Sequence, residues 1–317
     1  MYMKYNVREA IKNKQNIFNK EVYKVATHSD ADGICSAVLA NYAINFSSLV
    51  FPFFGEITDE DLALDMYSKD PNYSGIMIDH HKTILDYPNG TIIHADYPAS
   101  LICYELFKDS IKEPWKVIVG LAGDGYPHLA PLEIWLNYPE LLDDVGAFLH
   151  SKGKDYYFPK PYWTELSSSI NNLCRINKSK IAFEILKNAK RPSDIINHDQ
   201  VKDAAKELSK EEGVIRSTFR PLDMGAYLVW KINSQYNFAY LAASLSTQRK
   251  GKTVLLFNNY NNTLHIRGVL SSYLRMILKD IADIGGHEGF MGGKLYPEKS
   301  YYDLLDALKA GRKQYGI

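Results

Sequence analysis

The chain has 317 residues, of which 46% are apolar and 23% charged, with a formal net charge of zero. That length and balance exclude a disordered or fibrous chain and favour two domains over one core. The even total hides an asymmetry: residues 1–150 hold 11 Lys and Arg against 21 Asp and Glu, a balance of −10, whereas residues 151–317 hold 26 against 16, a balance of +10. An aspartate-dense half suits divalent cations, and a basic half suits a polyanion drawn in through its phosphates. No window approaches ~18 uninterrupted apolar residues, so no membrane span is expected. Residues 1–20 lack the apolar stretch of a secretory signal. Cys35, Cys103 and Cys174 are too scattered for a disulfide framework or a zinc motif. A cytoplasmic protein in a reducing compartment is expected.

In chain order, residues 6–20 read as a polar helix or an extended lead-in without evident chemistry. A β-type run at 22–27 leads into Thr27-His28-Ser29-Asp30-Ala31-Asp32-Gly33, after which 34–43 has helical spacing. Further short apolar runs lie at 49–54, 62–64, 75–78 and 91–93, with helix-length segments between several of them, such as 100–107 behind Ser100. This pattern predicts an α/β fold with a mostly parallel sheet covered on both faces. Ligands bind such sheets beyond the carboxyl ends of the strands. Asp30, Asp65 and Asp79-His80-His81 each follow an apolar run, and Asp124 in Ala122-Gly123-Asp124-Gly125 reads as another strand end.

From about 165 to 212 the pattern turns helical and charged, with helices at 178–188 and 201–212 around Arg191-Pro192-Ser193-Asp194. Beyond Arg220-Pro221, strands at 226–232, 253–257 and 263–267 and helices at 238–245, 270–282 and 301–313 predict a second, smaller α/β domain. The expected division is 1–160 for a metal-binding catalytic domain, 161–220 for a helical connector and 221–317 for a substrate domain, with the active site in the cleft between them. The second domain carries Ile284-Gly285-Gly286-His287-Glu288-Gly289-Phe290-Met291-Gly292-Gly293, which reads as a backbone cradle for a phosphate or nucleotide end. Arg267 closes a predicted strand and is a candidate phosphate clamp. His94, His128 and His265 receive structural roles only.

The imidazoles and carboxylates of the first half supply six ligands for two divalent ions. Hard ions take carboxylate oxygens, and added imidazole shifts the preference toward manganese or zinc over calcium. The reading places His28 and Asp30 on one ion, Asp32, His80 and Asp124 on the other, and Asp65 between them. Asp65 is chosen over Asp59, Glu60, Asp61 and Asp70 because it ends an apolar run. Two ions ~3.5 to 4 Å apart clamp the attacking and leaving oxygens of a phosphoryl displacement. His81 is then a contact for the substrate phosphate or the leaving oxygen, and Asp79 orients a ligand imidazole. The plainer alternative for Asp32, ahead of Gly33, is a cap on the following helix.

Taken together, His28-Ser29-Asp30-Ala31-Asp32-Gly33, Asp65, Asp79-His80-His81 and Asp124, followed by a glycine-flanked histidine, resemble the DHH phosphoesterase superfamily. The likeness spans nearly the whole chain. It is nearest to the branch of RecJ-type exonucleases, archaeal RecJ-like nucleases, nano-RNases and 3′-phosphoadenosine 5′-phosphate phosphatases, which carry a DHH-associated C-terminal domain. The resemblance implies two manganese ions, with magnesium as the alternative, at His28, Asp30, Asp32, Asp65, His80 and Asp124. It also implies a nucleotide held by Arg267, Gly286 and His287. The glycine run is shorter here than in the family and lacks the following proline, and the chain has no room for the extra nucleic-acid-binding domain of bacterial RecJ. The expected activity is exonucleolytic hydrolysis of single-stranded DNA or RNA or of short oligonucleotides. A replication or repair protein such as a helicase is the implied partner class. A nano-RNase, a phosphatase for 3′-phosphoadenosine 5′-phosphate or a cyclic-dinucleotide hydrolase would use the same centre, and a catalytically silent scaffold that binds single strands is the non-enzymatic alternative.

Overall fold

The computed structural model describes residues 3–53, 55–81, 87–143, 147–151, 154–158, 160–287 and 289–315. The chain divides into two compact units, Met1–Lys206 and Glu207–Ile317.

The first unit begins with β1 (Met3–Tyr5), α1 (Val7–Lys12), α2 (Lys14–Ile17), β2 (Tyr23–Thr27), α3 (Ala31–Asn41), β3 (Phe46–Val50), β4 (Leu62–Leu64), β5 (Ile76–Asp79) and β6 (Thr91–His94). The strands form one sheet in the order β1-β6-β5-β4-β2-β3, with every neighbouring pair parallel. Every residue of β4 and β5 is buried, as a parallel sheet covered on both faces requires. The next helices, α4 (Ala99–Phe107) and α5 (Lys116–Gly123), pack with α3. α3 and α4 also contact β2, β4 and β5. Irregular chain supplies Ile57, Met66, Tyr73 and Tyr87 to a separate cluster with Ala26, Ala63, Met77 and Ile92 of the strands. Pro52, Gly55, Pro71 and Gly75 punctuate that chain and keep it from becoming helical.

Then follow α6 (Leu132–Asn137), the hairpin β7 (Ala147–Ser151) and β8 (Lys154–Phe158), α7 (Tyr162–Arg175), α8 (Ser179–Asn188), α9 (Pro192–Ile196) and α10 (Asp199–Ser217). The helices expected to form a connector instead pack into this unit. α7 buries Leu166, Ile170 and Leu173 and contacts α3, α5 and α8, so its apolar stripe is spent on the first core. The unit boundary falls inside α10.

The second unit contains β9 (Leu222–Met224), β10 (Tyr227–Ile232), α11 (Ala239–Gln248), β11 (Thr253–Asn258), β12 (Thr263–Arg267), α12 (Ser271–Ile277), β13 (Ala282–His287), β14 (Phe290–Leu295) and α13 (Tyr301–Tyr315). Its sheet runs β13-β14-β12-β11-β10-β9, and only β10 and β11 pair in parallel. One expectation changes here: the helix read at 270–282 ends at Ile277. The glycine-rich stretch forms an antiparallel hairpin whose strand pairing the sequence did not reveal. The cause is a period of two that the glycines mask: Ala282, Ile284, Met291 and Leu295 all enter the core. Among the described residues, no helix is long and apolar enough to cross a membrane.

Candidate metal centre

Six of the predicted residues meet at the carboxyl ends of β2, β4 and β5. His28 directly follows β2, and Asp30 is the N-cap of α3, its Oδ1 accepting the Gly33 N–H at 2.9 Å. The cap therefore belongs to Asp30 and not to Asp32. Asp32, fully buried, accepts the Ala99 and Ser100 N–H groups at 2.8 and 3.1 Å, which ties α3 to the start of α4. Gly33 is required because a Cβ there would lie 2.3 Å from the His28 carbonyl oxygen. α7 and α8 steady the turn from outside the sheet. Ala31 N–H donates to Asn171 Oδ1 at 2.9 Å, and the Ser29 and Ser179 hydroxyls meet at 2.5 Å.

Asp65 leaves β4 with φ at 57°, a left-handed conformation that an aspartate tolerates and most residues do not. Strain of this kind persists where the surroundings hold it in place, often at functional sites. The conformation turns a buried carboxylate between two imidazoles: Oδ2 lies 3.4 Å from His28 Nδ1, and Oδ1 lies 3.3 Å from His80 Nε2. His28 Nδ1 is also 2.8 Å from Asp30 Oδ2, and His80 Nε2 is 3.2 Å from Asp124 Oδ2. The side chains gather into His28-Asp30-Asp65, Asp32-His80-Asp124 and Asp65-Asp79-His80-His81, each with donor atoms within 4.8 Å of one another. Asp65 is common to two of these groups and His80 to two.

Asp124 reaches the same place from an unexpected element. Instead of ending a strand it caps the C-terminus of α5. The run Lys116-Val117-Ile118-Val119 has strand-like composition, but it is helical because it packs on α3 and α4. Gly120 permits the approach, since a Cβ there would lie 2.9 Å from Asp32 Oδ1.

Electrostatics mark the cluster as overloaded with acid. Burial, then the Asp32 and Asp65 carboxylates, push Asp124 up to about 9. Burial together with Asp32 and Asp30 raises Asp65 well above the carboxylate range, and burial raises Asp32. Against its own burial, His28 is raised by Asp30 and Asp65, while Asp30, though buried, is lowered by His28. Asp79 Oδ1 accepts from the His80 and His81 N–H groups and lies 2.7 Å from His81 Nδ1. This pairing lowers Asp79 and raises His81, each against the effect of its burial.

The donor set fits hard divalent ions. Asp65 Oδ1 is buried with no hydrogen-bond partner among the described residues, a costly state that a cation relieves. The rest are carboxylate oxygens and imidazole nitrogens, which suit manganese, magnesium or zinc.

No family model matches the chain, and no curated protein matches it. Solved structures do. RecJ from Thermus thermophilus in complex with Mn2+ superposes with a TM-score of 0.65 at 16% identity, over 98% of this chain and 54% of that one. Exonuclease RecJ bound to manganese gives 0.62 at 14% identity, over 98% of this chain and 94% of that one. The chain shares the fold of these RecJ structures. It spans about half the length of the Thermus RecJ and nearly all of the second RecJ structure. A pGpG-specific phosphodiesterase from Vibrio cholerae shares the fold with a TM-score of 0.51 at 16% identity, over 92% of this chain and 98% of that one.

The remaining predicted residues lie in the second unit of this RecJ-like fold. Arg267 closes β12, and Gly286 and His287 close β13, with Gly286 at φ 112°. The His287 side chain lies outside the described residues, as does Glu288. His265, given no role from sequence, stands two residues before Arg267 on the same face of β12. The alternation Leu264-His265-Ile266-Arg267 carried that signal, because the two apolar residues take the core.

Proposed function

We propose that the chain is a divalent-metal phosphodiesterase that degrades single-stranded nucleic acid or short oligonucleotides from an end and releases mononucleotides. One observation carries the reading: the strained, buried Asp65 carboxylate divides its two oxygens between His28 and His80. That is the placement of a bridging ligand. His28 and Asp30 would hold one ion, and Asp32, His80 and Asp124 the other. Two such ions supply a water activated near neutral pH and a clamp on both oxygens of an in-line displacement.

The chain's own groups do the rest. Asp79 fixes the His81 ring through Nδ1 and favours its protonated form, so Nε2 can donate a proton to the scissile phosphate or its leaving oxygen. Manganese is the proposed metal, since an oxygen-rich site with two imidazoles favours it over calcium. The full-length match to a pGpG-specific phosphodiesterase favours a second reading, in which the preferred substrate is a dinucleotide.

Digestion of 5′-labelled and 3′-labelled DNA and RNA oligomers, with manganese, magnesium or chelator, tests the proposal. Stepwise mononucleotide release that needs the metal supports it and fixes the polarity. Cleavage confined to the shortest oligomers moves the assignment to the dinucleotide reading. Undiminished cleavage in chelator, or none with any metal, refutes both.

A further inference from the structure

The parallel sheet of the first unit has two ends, and the metal centre uses only the carboxyl one. At the amino end lies a cavity of about 520 Å³, within the range of small-molecule sites. Tyr23 opens β2, Asp61 precedes β4, Gly75 precedes β5 and Thr91 opens β6, and all four line it. Asp59, Glu60 and Asp61, passed over in favour of Asp65 as metal ligands, stand together in its wall.

One polar group in that wall lacks the partner its burial calls for. Tyr73 is only 3% exposed, and among the described residues its hydroxyl has no hydrogen-bond partner. A Cβ on Gly75 would lie 2.3 Å from that hydroxyl and 2.8 Å from the Glu60 carbonyl oxygen, which sets the phenol oxygen among the lining residues. Burial, then the charges of Glu60 and Asp61, raise its pKa, so the hydroxyl stays protonated. The acids differ in how far they are neutralised. Asp59 pairs with Lys24 Nζ at 3.0 Å, and Asp61 pairs with Lys20. Glu60 Oε2 accepts the Thr58 N–H at 3.0 Å, and no cation forms an ion pair with it among the described residues. The three carboxylates do not gather into a metal-holding group among the described residues. A carboxylate left over beside the rings of Tyr23 and Tyr73 suits an organic cation instead, which takes charge from the acid and contact from the aromatic faces.

We infer that this cavity binds a small organic amine, with its ammonium group between the Glu60 carboxylate and the Tyr73 hydroxyl. The ammonium N–H groups donate to Glu60 and to the phenol oxygen, and the carbon chain lies along the tyrosine rings. The site is separate from the metal centre. Asp61 and Asp65 flank the three residues of β4, about 13 Å of extended chain, so a bound amine touches no proposed metal ligand.

The test is isothermal titration of the chelator-stripped full chain with putrescine and with spermidine. The wild type is expected to bind at least one of them at this site. Glu60→Gln keeps an acceptor for the Thr58 N–H and removes the charge; it is expected to weaken binding by ~10- to 100-fold. Tyr73→Phe deletes only the hydroxyl and is expected to weaken binding by ~3- to 10-fold, with the unfolding midpoint of the free chain unchanged or raised. A hydroxyl that served packing alone would leave amine affinity unmoved. Asp65→Asn, which alters the metal centre, is expected to bind the amine as the wild type does, and this separates the cavity from amines drawn to the other acidic cluster. Circular dichroism checks that each variant folds, and if Glu60→Gln does not, Tyr73→Phe decides. A wild type that binds neither amine, affinity unmoved in a folded cavity variant, or binding lost in Asp65→Asn overturns the inference. No cleavage enters the readout, so the nuclease reading stands or falls separately.

Discussion

At the carboxyl edge of the parallel sheet, burial and crowding raise Asp32, Asp65 and Asp124 above the usual carboxylate range. On one face of the mixed sheet, a guanidinium is partly withdrawn from water with no carboxylate beside it among the described residues. Each arrangement is costly alone, and each is relieved by a ligand of opposite sign. The first calls for cations and the second for an anion. Opposite formal balances of −10 and +10 in residues 1–150 and 151–317 carry the same division in the sequence.

The comparison breaks most sharply at Asp65. Asp65→Asn keeps a residue that tolerates the left-handed backbone and removes only the charge. Metal-dependent hydrolysis is expected to fall to background in an oligomer-digestion assay, with nucleotide binding in chelator unchanged. It is a cleaner probe than Asp32→Ala, which would also strip acceptors from the Ala99 and Ser100 N–H groups. Asp79→Asn loosens the His81 ring without removing a proposed metal ligand. The expected cost is ~10- to 100-fold in turnover, read as a fall in kcat with a shifted pH profile. Gly33→Ala forces a Cβ against the His28 carbonyl and is expected to destabilise the first unit by ~1 to 3 kcal/mol, checked by urea unfolding.

The smallest effect sharpens the electrostatic side. Asp124, near 9 in the folded protein, would sit at about 3.9 in the unfolded chain. Between those values the folded state holds the extra proton, so this contribution to stability is lost as pH rises toward 9. The raised Asp65 and His28 act in the same direction. Metal-free protein is expected to melt lower at about pH 9 than at about pH 6, and added manganese, which requires the carboxylate form, is expected to remove or reverse that slope.

Much of this arrangement was legible in the sequence because short apolar runs ending in Asp or His mark strand ends wherever the sheet is parallel. His28, Asp30, Asp65 and Asp79-His80-His81 follow from that rule. Asp124 does not, because β-branched residues entered a helix through packing on α3 and α4, a tertiary effect that overrides local preference. The cap at Asp30 rather than Asp32 depends on where α3 begins, which spacing leaves open by a residue or two. The stretch 161–220 read as a connector because it is helical and charged, and only contacts reveal that Leu166, Ile170 and Leu173 of α7 close the first core. In the second unit, glycines carry no periodic signal, so the stretch around Gly289 read as a backbone cradle without its strand pairing, and His265 received a structural role only.

Metal stoichiometry tests the central claim most directly. Isothermal titration of manganese into the chelator-stripped full chain, paired with elemental analysis, should count two ions per wild-type chain and show weakened binding of both in Asp65→Asn. A wild type that binds none or one, or an Asp65→Asn protein that binds two as tightly as the wild type, would contradict a paired centre bridged by Asp65.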